Sequence, residues 1–328
     1  MGVPDERIMR IPMKETKTPV LYRGPGSISA KRGMPIAELG ASLMYWLAAH
    51  SYFLPGLYLQ RYSTLFGLSL AAKRHANVPK PLVQRLLNGT LESTTYFEFD
   101  FAWRALTSSE PEDKDYLDVL SPWLLPLLLM QRRRMSRAIV VNPDGLTVQT
   151  FRQLLDAAGL GSRCEVIGRL LEECSLAPGS FDVITSISGP AQVKNDSTLA
   201  GMMWTLLKPG GRLIISLPCT FNAAGRISNH DWNEEESTEP VLSRPRVYDP
   251  QLLQDRIFSV LGEPTSVVVY GEIAKRDPRQ AKKAAFGPGY PRPREPLKMA
   301  RDWRCYSRVQ DLPGQGVIAM TFDKAFSS

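Results

Sequence analysis

Cysteine and histidine are scarce in this sequence. Four cysteines, Cys164, Cys174, Cys219 and Cys305, stand far apart with no C-x-x-C pair, and the three histidines, His50, His75 and His230, are scattered. That excludes a disulfide framework, fits a reducing compartment, and leaves no local spacing for a zinc-type cluster, so no metal is expected. The N-terminus, MGVPDERIMRIPMKET, lacks the apolar core of a secretory signal. The expected location is cytoplasmic, with membrane association kept open by the stretch described below. No repeat of 20–50 residues is present, and 24 glycines and 26 prolines show no period, which excludes solenoids and collagen-like chains.

What is present is an ordinary globular composition: 328 residues, 43% hydrophobic and 22% charged. That length suits one large domain or two ordinary ones. Forty basic residues against thirty-three acidic ones give a formal charge of +7. The excess is local, because residues 275–308 hold eleven Lys/Arg and three Asp/Glu. Such a segment is either a solvated loop or a surface for an anionic partner such as nucleic acid, a phosphate-bearing substrate or an acidic membrane.

Three parts follow from the pattern. Residues 1–34 read as an irregular arm. Residues 35–110 read as a helical, aromatic-rich region or cap. Within it Leu39–Gln60 carries no charged residue, long enough to raise a membrane span. The Pro55-Gly56 break and aromatics crowding the middle favour two core helices, with a helix lying on a membrane as second reading. Residues 111–328 alternate strand and helix. Strands are predicted at Tyr116–Val119, Ala138–Val141, Cys164–Ile167, Phe181–Ile187, Arg212–Leu217, Ser266–Ile273 and Gly316–Phe322. The first five, joined by short helical crossovers, predict an α/β doubly wound, mostly parallel sheet. The last two, joined through the basic insertion 275–308, predict an antiparallel pair at one edge.

In such sheets ligands bind outside the C-terminal ends of the strands. The first turn reads Asp118-Val119-Leu120-Ser121-Pro122-Trp123, without the G-x-G-x-x-G that lets backbone approach a pyrophosphate, which disfavours NAD and FAD. After the second strand, Asn142-Pro143-Asp144-Gly145 offers an amide and a carboxylate to ribose hydroxyls or forms a turn for its own sake. After the fourth strand comes Ser186-Ile187-Ser188-Gly189-Pro190. Lys208-Pro209-Gly210-Gly211 is a structural helix stop before the fifth strand.

The run Phe181-Asp182-Val183-Ile184-Thr185-Ser186, followed by Leu207-Lys208-Pro209-Gly210-Gly211-Arg212-Leu213-Ile214-Ile215, resembles the class I S-adenosylmethionine-dependent methyltransferases. Asp118-Val119-Leu120-Ser121-Pro122 resembles a subgroup whose first turn is D-x-S-S-P. That subgroup also has an upstream aromatic–acidic stretch, similar to Tyr96-Phe97-Glu98-Phe99-Asp100-Phe101-Ala102-Trp103. The resemblance implies a seven-stranded sheet with an antiparallel final strand and S-adenosyl-L-methionine as cofactor. It implies that Asp118, Ser121 and Pro122 lie beside the methionine part, that Asn142 and Asp144 hold the ribose, and that Ser186 and Ile187 face the sulfonium. Tyr96 and Glu98 would close the pocket. Two positions depart from the pattern: Ile167-Gly168-Arg169 lacks the acid that many members carry after the third strand, and Gly189-Pro190-Ala191-Gln192 lacks an acidic–His pair.

The implied reaction is methyl transfer to an O or N atom, in which the protein aligns the acceptor and excludes water. His230, in the loop after the fifth strand, is the candidate base, and Arg246 and Tyr248 are candidate substrate contacts. The aromatic region and basic insertion suit a small-molecule, glycan or lipid-linked acceptor, with peripheral membrane contact through 39–60. RNA ranks behind these, because no RNA-binding module is legible although Tyr290, Trp303 and Tyr306 lie among the basic residues. A methyltransferase-like scaffold without catalysis is the alternative from a different class.

Overall fold

The computed structural model describes residues 56, 58–72, 78–88, 93–107, 114–131, 135–221, 245–273 and 303–326. The arm 1–34, most of 39–60, His230 and most of the basic insertion lie outside the described residues.

Eight strands form one sheet in the order β3-β2-β1-β4-β5-β8-β6-β7. Strands β1 (Asp115–Val119), β2 (Arg137–Val141), β3 (Cys164–Ile167), β4 (Phe181–Ile187) and β5 (Leu207–Thr220) run parallel. Strand β8 (Gln315–Asp323) lies antiparallel between β5 and β6 (Ser266–Glu272), and β7 (Trp303–Tyr306) closes the edge antiparallel to β6. The order reverses between β1 and β4, both neighbours in the sheet, which creates the switch point where ligands bind in this architecture.

The antiparallel pairing of the last two predicted strands is present. The count differs, because β7 makes eight strands instead of seven. It arises from the end of the segment read as basic insertion, where Trp303 and Tyr306 are buried while Arg304 and Cys305 are exposed. Two aromatic anchors suffice to hold an edge strand whose composition reads as a charged loop. A second difference is at β5, which starts at Leu207 and passes through Pro209-Gly210-Gly211 with a register shift against Phe181 and Val183. Gly210 takes φ 77°, and its N–H donates to the Lys324 carbonyl at 2.8 Å, so the predicted helix stop is also a bulge pinned by the C-terminal strand.

Each face of the sheet carries its own core, because strand side chains alternate. Leu117, Val119, Ile184, Leu213, Ile215 and Leu217 face one side. Helix α6 (Asp196–Leu206) covers it with a helical segment α7, made of Pro250–Leu253, a π-helical turn Gln254–Phe258 and Ser259–Leu261. Tyr116, Val140, Val183 and Ile214 face the other side. That side is covered by α1 (Tyr58–Ala72), α2 (Lys80–Asn88), α3 (Ser93–Thr107), α4 (Leu124–Gln131) and α5 (Gly145–Ala158). Residues 124–130 of α4 are all buried, as a helix that is apolar all round must be. Tyr62 donates to Gln131 at 2.7 Å and Ser63 to the Leu86 carbonyl at 3.0 Å, tying α1 to α4 and α2. No described helix is long and apolar enough to cross a membrane.

Between β6 and β8, Gly271 sits opposite Gly316. A Cβ at Gly271 would meet Leu312 Cδ2 and lie 3.1 Å from the Gln315 carbonyl oxygen. Gly271→Ala is expected to destabilise the protein by about 1–3 kcal/mol through overpacking, measured by chemical denaturation, with no change in far-UV circular dichroism at room temperature.

Candidate active site

The exits of β1 and β4 are locked together. The turn after β1 has no glycine, and its shape is held by side chains: the Ser121 N–H donates to Asp118 Oδ1 at 3.2 Å, and Ser121 Oγ accepts the Ile187 N–H at 2.9 Å. Ser186 Oγ donates to the Val119 carbonyl at 2.7 Å. Leu120 (φ 63°) and Ser188 (φ 56°) are the two non-glycine residues with positive φ among the described residues. Left-handed backbone costs about 1–2 kcal/mol for such residues, and it occurs here at the first residue after each of the two strands flanking the switch point. Gly189 completes the contact. A Cβ there would meet Ser186 Oγ and lie 2.8 Å from the Val119 carbonyl oxygen and 2.9 Å from Leu120 Cβ.

Beneath this turn lies a buried polar knot. Asp118, fully buried, accepts on Oδ2 from Thr185 Oγ1 at 2.6 Å and from the Tyr116 hydroxyl at 3.0 Å. Burial raises its carboxyl to about 6, against the lowering pull of these donors. Tyr116 is raised as well, first by its own burial and then by the Asp118 charge.

At the β2 exit Asn142 Oδ1 accepts the Asp144 N–H at 2.9 Å. Asp144 caps α5, its Oδ2 accepting the Thr147 N–H at 2.9 Å and the Thr147 hydroxyl at 2.5 Å. Asp144 is therefore tied into its own turn. The Asn142 amide nitrogen and Asp144 Oδ1 take no partner among the described residues, which leaves one donor and one acceptor. That combination fits the vicinal hydroxyls of a ribose. At the β3 exit Ile167 is half-buried and Gly168 and Arg169 are exposed, with no carboxylate.

Arg246 and Tyr248, read as substrate contacts, are both buried and both turn onto Asp196 at the start of α6. Arg256 Nε joins them, donating to Asp196 Oδ1 at 2.6 Å. Two guanidiniums and a phenol thus serve one carboxylate that is 0% exposed. The knot fixes the chain where it returns to the sheet, with Tyr248 bridged to Cys219 of β5. Pro122 is exposed and half-buried Trp123 follows it.

Tyr96 and Glu98 sit on α3 and are 0% and 2% exposed. Glu98 Oε1 accepts from Ser188 Oγ at 2.7 Å and from Ser216 Oγ at 2.6 Å. Burial pushes its carboxyl up, partly opposed by the two serines. Phe97 stacks on Tyr270 of β6 at 4.8 Å between centroids, fixing that turn of α3 to the antiparallel end of the sheet. Sequence reading missed Ser188, Ser216, Thr185, Tyr116, Asp196 and Arg256. A signal existed for Thr185 and Ser216, which are polar residues at positions of one strand face that neighbours fill with apolar ones.

Residues 124–215 match the model of a family described as a methyltransferase domain. No curated protein sequence matches the chain. Among solved structures, the cyclase SpnF is 13% identical, with TM-score 0.47 over 79% of this chain and 97% of that one. A putative sarcosine dimethylglycine methyltransferase from Galdieria sulphuraria is 13% identical, with TM-score 0.45 over 70% and 85%. Geranyl diphosphate C-methyltransferase from Streptomyces coelicolor A3(2), solved with S-adenosyl-L-homocysteine, is 12% identical, with TM-score 0.46 over 70% and 75%.

Strand order defines a Rossmann-like α/β fold, and the family match lies within its first five strands. Over residues 124–215 the chain is similar to a methyltransferase domain, and S-adenosyl-L-methionine is the cofactor that this similarity implies.

Two outcomes follow for the buried acids. Asp196→Asn leaves two guanidiniums uncompensated and is expected to cost about 3–5 kcal/mol in chemical denaturation. Asp118 keeps its proton to about pH 6 in the native state, whereas in the unfolded chain it ionises near pH 4. The native state binds the extra proton, so unfolding free energy falls as pH rises through that window, by on the order of 3 kcal/mol from this group. Asp118→Asn should flatten that part of the denaturation-versus-pH profile.

Proposed function

We propose that the chain transfers a methyl group from S-adenosylmethionine to an O or N atom of a small-molecule, glycan or lipid-linked acceptor. The observation that carries this reading is the switch point itself: the β1 and β4 exits locked in left-handed turns beside the donor–acceptor pair Asn142 and Asp144. The cofactor when bound supplies an activated methyl group on a sulfonium. Asn142 and Asp144 would hold its ribose, the turn Asp118-Ser121-Pro122 its methionine part, and Ser186 and Ile187 would line the reacting end. Tyr96 and Glu98 would close the pocket from α3. The protein's work is to align the acceptor and exclude water.

An O or N acceptor loses a proton on methylation. His230 is the candidate base, in the part of the sequence between β5 and Arg246. Arg246 and Tyr248 hold the returning chain against Asp196, so their part is to shape the acceptor side. The uncharged stretch 39–60 and the basic insertion 275–308 support an amphipathic or anionic acceptor met at a membrane surface. On α1, which continues that stretch, Leu65 and Leu68 are about half exposed.

A non-catalytic scaffold is favoured by two observations: no carboxylate follows β3, and Asp144 already caps α5. Calorimetric titration with S-adenosylmethionine and S-adenosylhomocysteine separates the readings. Asp144→Ser keeps a capping oxygen for Thr147 but removes the carboxylate. Micromolar binding by the wild type, weakened about tenfold or more by Asp144→Ser with little change in melting temperature, is expected. No heat at millimolar cofactor would establish the scaffold reading.

A further inference from the structure

Glu98 and Asp196 are both buried acids, and the fold treats them in opposite ways. Asp196 receives two arginines. Glu98 receives two serine hydroxyls, and no described lysine, arginine or histidine pairs with it. A buried carboxylate without a counter-charge is expensive, and a protein either neutralises it or meets it with a cation.

The position of Glu98 says where such a cation would come from. Ser216 lies on β5 in register with Ile187, the last residue of β4. Ser188 is the next residue, held left-handed, with its N–H on both the carbonyl oxygen and the hydroxyl of Ser216 at 3.0 and 3.1 Å. The Glu98 carboxyl is therefore pinned at the C-terminal ends of β4 and β5, beside the switch point. Both serines donate to the same oxygen, Oε1, and Oε2 takes no hydrogen bond from a described residue. The phenyl ring of Phe97, stacked on Tyr270, keeps the helix turn from backing away.

We propose that Glu98 is the counter-charge for a cationic group of the bound ligand at the β4 exit, namely the sulfonium of S-adenosylmethionine, and that it makes the site favour the charged methyl donor over the neutral product. This rests on the methyltransferase reading above. The sulfonium is the one charge of the cofactor that methyl transfer removes. A carboxylate aimed at it loses its partner when the reaction is over, which loosens S-adenosylhomocysteine. The other cation of the cofactor, its α-ammonium, is common to donor and product, so the two sources separate experimentally.

The test is titration calorimetry on the full chain and on Glu98→Gln. Gln keeps the shape and can still accept from the serine hydroxyls. The probes are S-adenosylmethionine, sinefungin, which carries an amine in place of the sulfonium, and S-adenosylhomocysteine. Glu98→Gln should weaken the first two by about tenfold or more and leave S-adenosylhomocysteine within about twofold. Equal weakening of all three would assign Glu98 to the ammonium or to structure alone and overturn the proposal, as would no change in any. Should Glu98→Gln fail to fold, the wild type decides: tighter binding of both charged ligands than of S-adenosylhomocysteine supports it, and the reverse order overturns it. A wild type that binds none of the three fails the methyltransferase reading, a result distinct from any change in the ratio.

Discussion

The hydrogen bond from the Ile187 N–H to Ser121 Oγ is the contact on which the switch point depends. A first turn built from glycines adopts its shape because glycine accepts positive φ without strain. This chain has Leu120 and Ser121 there, so the shape must be imposed. Asp118 holds the turn from below through the Ser121 N–H, and Ile187 holds it from the side. Gly189 lets the two exits touch. The strain at Leu120 and Ser188 persists because the neighbouring strands over-determine it, which is how strained backbone survives at ligand sites.

That solution brings buried acid with it. Asp118 must sit under the turn to hold it, and burial raises its carboxyl. Thr185 and Tyr116 supply the donors that keep it in place. Asp196 uses arginines to fix the returning chain, and Glu98 uses serines to fix α3 over the β4 exit. Three buried carboxylates thus hold three segments around one end of the sheet. Each is satisfied by different chemistry, so each answers differently to a change of charge nearby.

Much of the scaffold was legible. The continuous apolar run at 138–141 and the segment 181–187 were read as strands within a residue or two of those observed. Asp144 and Gly159 bracket α5 as cap and stop. The site was less legible because its parts come from far along the chain. Glu98 and Ser216 are 118 residues apart, and Asp196 and Arg256 are 60 apart. No spacing rule reaches that far. Strand β7 was hidden because its two aromatic anchors stand among arginines, and charge outweighs a four-residue pattern.

By itself the sequence determined the alternation of strand and helix, the absence of a glycine-rich turn, the amide and carboxylate after β2, and the concentration of positive charge near the C-terminus. These are local properties, set by side-chain type and period. Tertiary structure alone decided which polar groups are partners and which are left without one. Among the described residues, Asp144 became a cap with one oxygen in use, Arg246 and Tyr248 turned inward onto Asp196, and Glu98 reached two serines but no cation. Pairing of buried charge depends on which elements the sheet brings within a few ångströms, and that distance is fixed by strand order, not by the residues themselves.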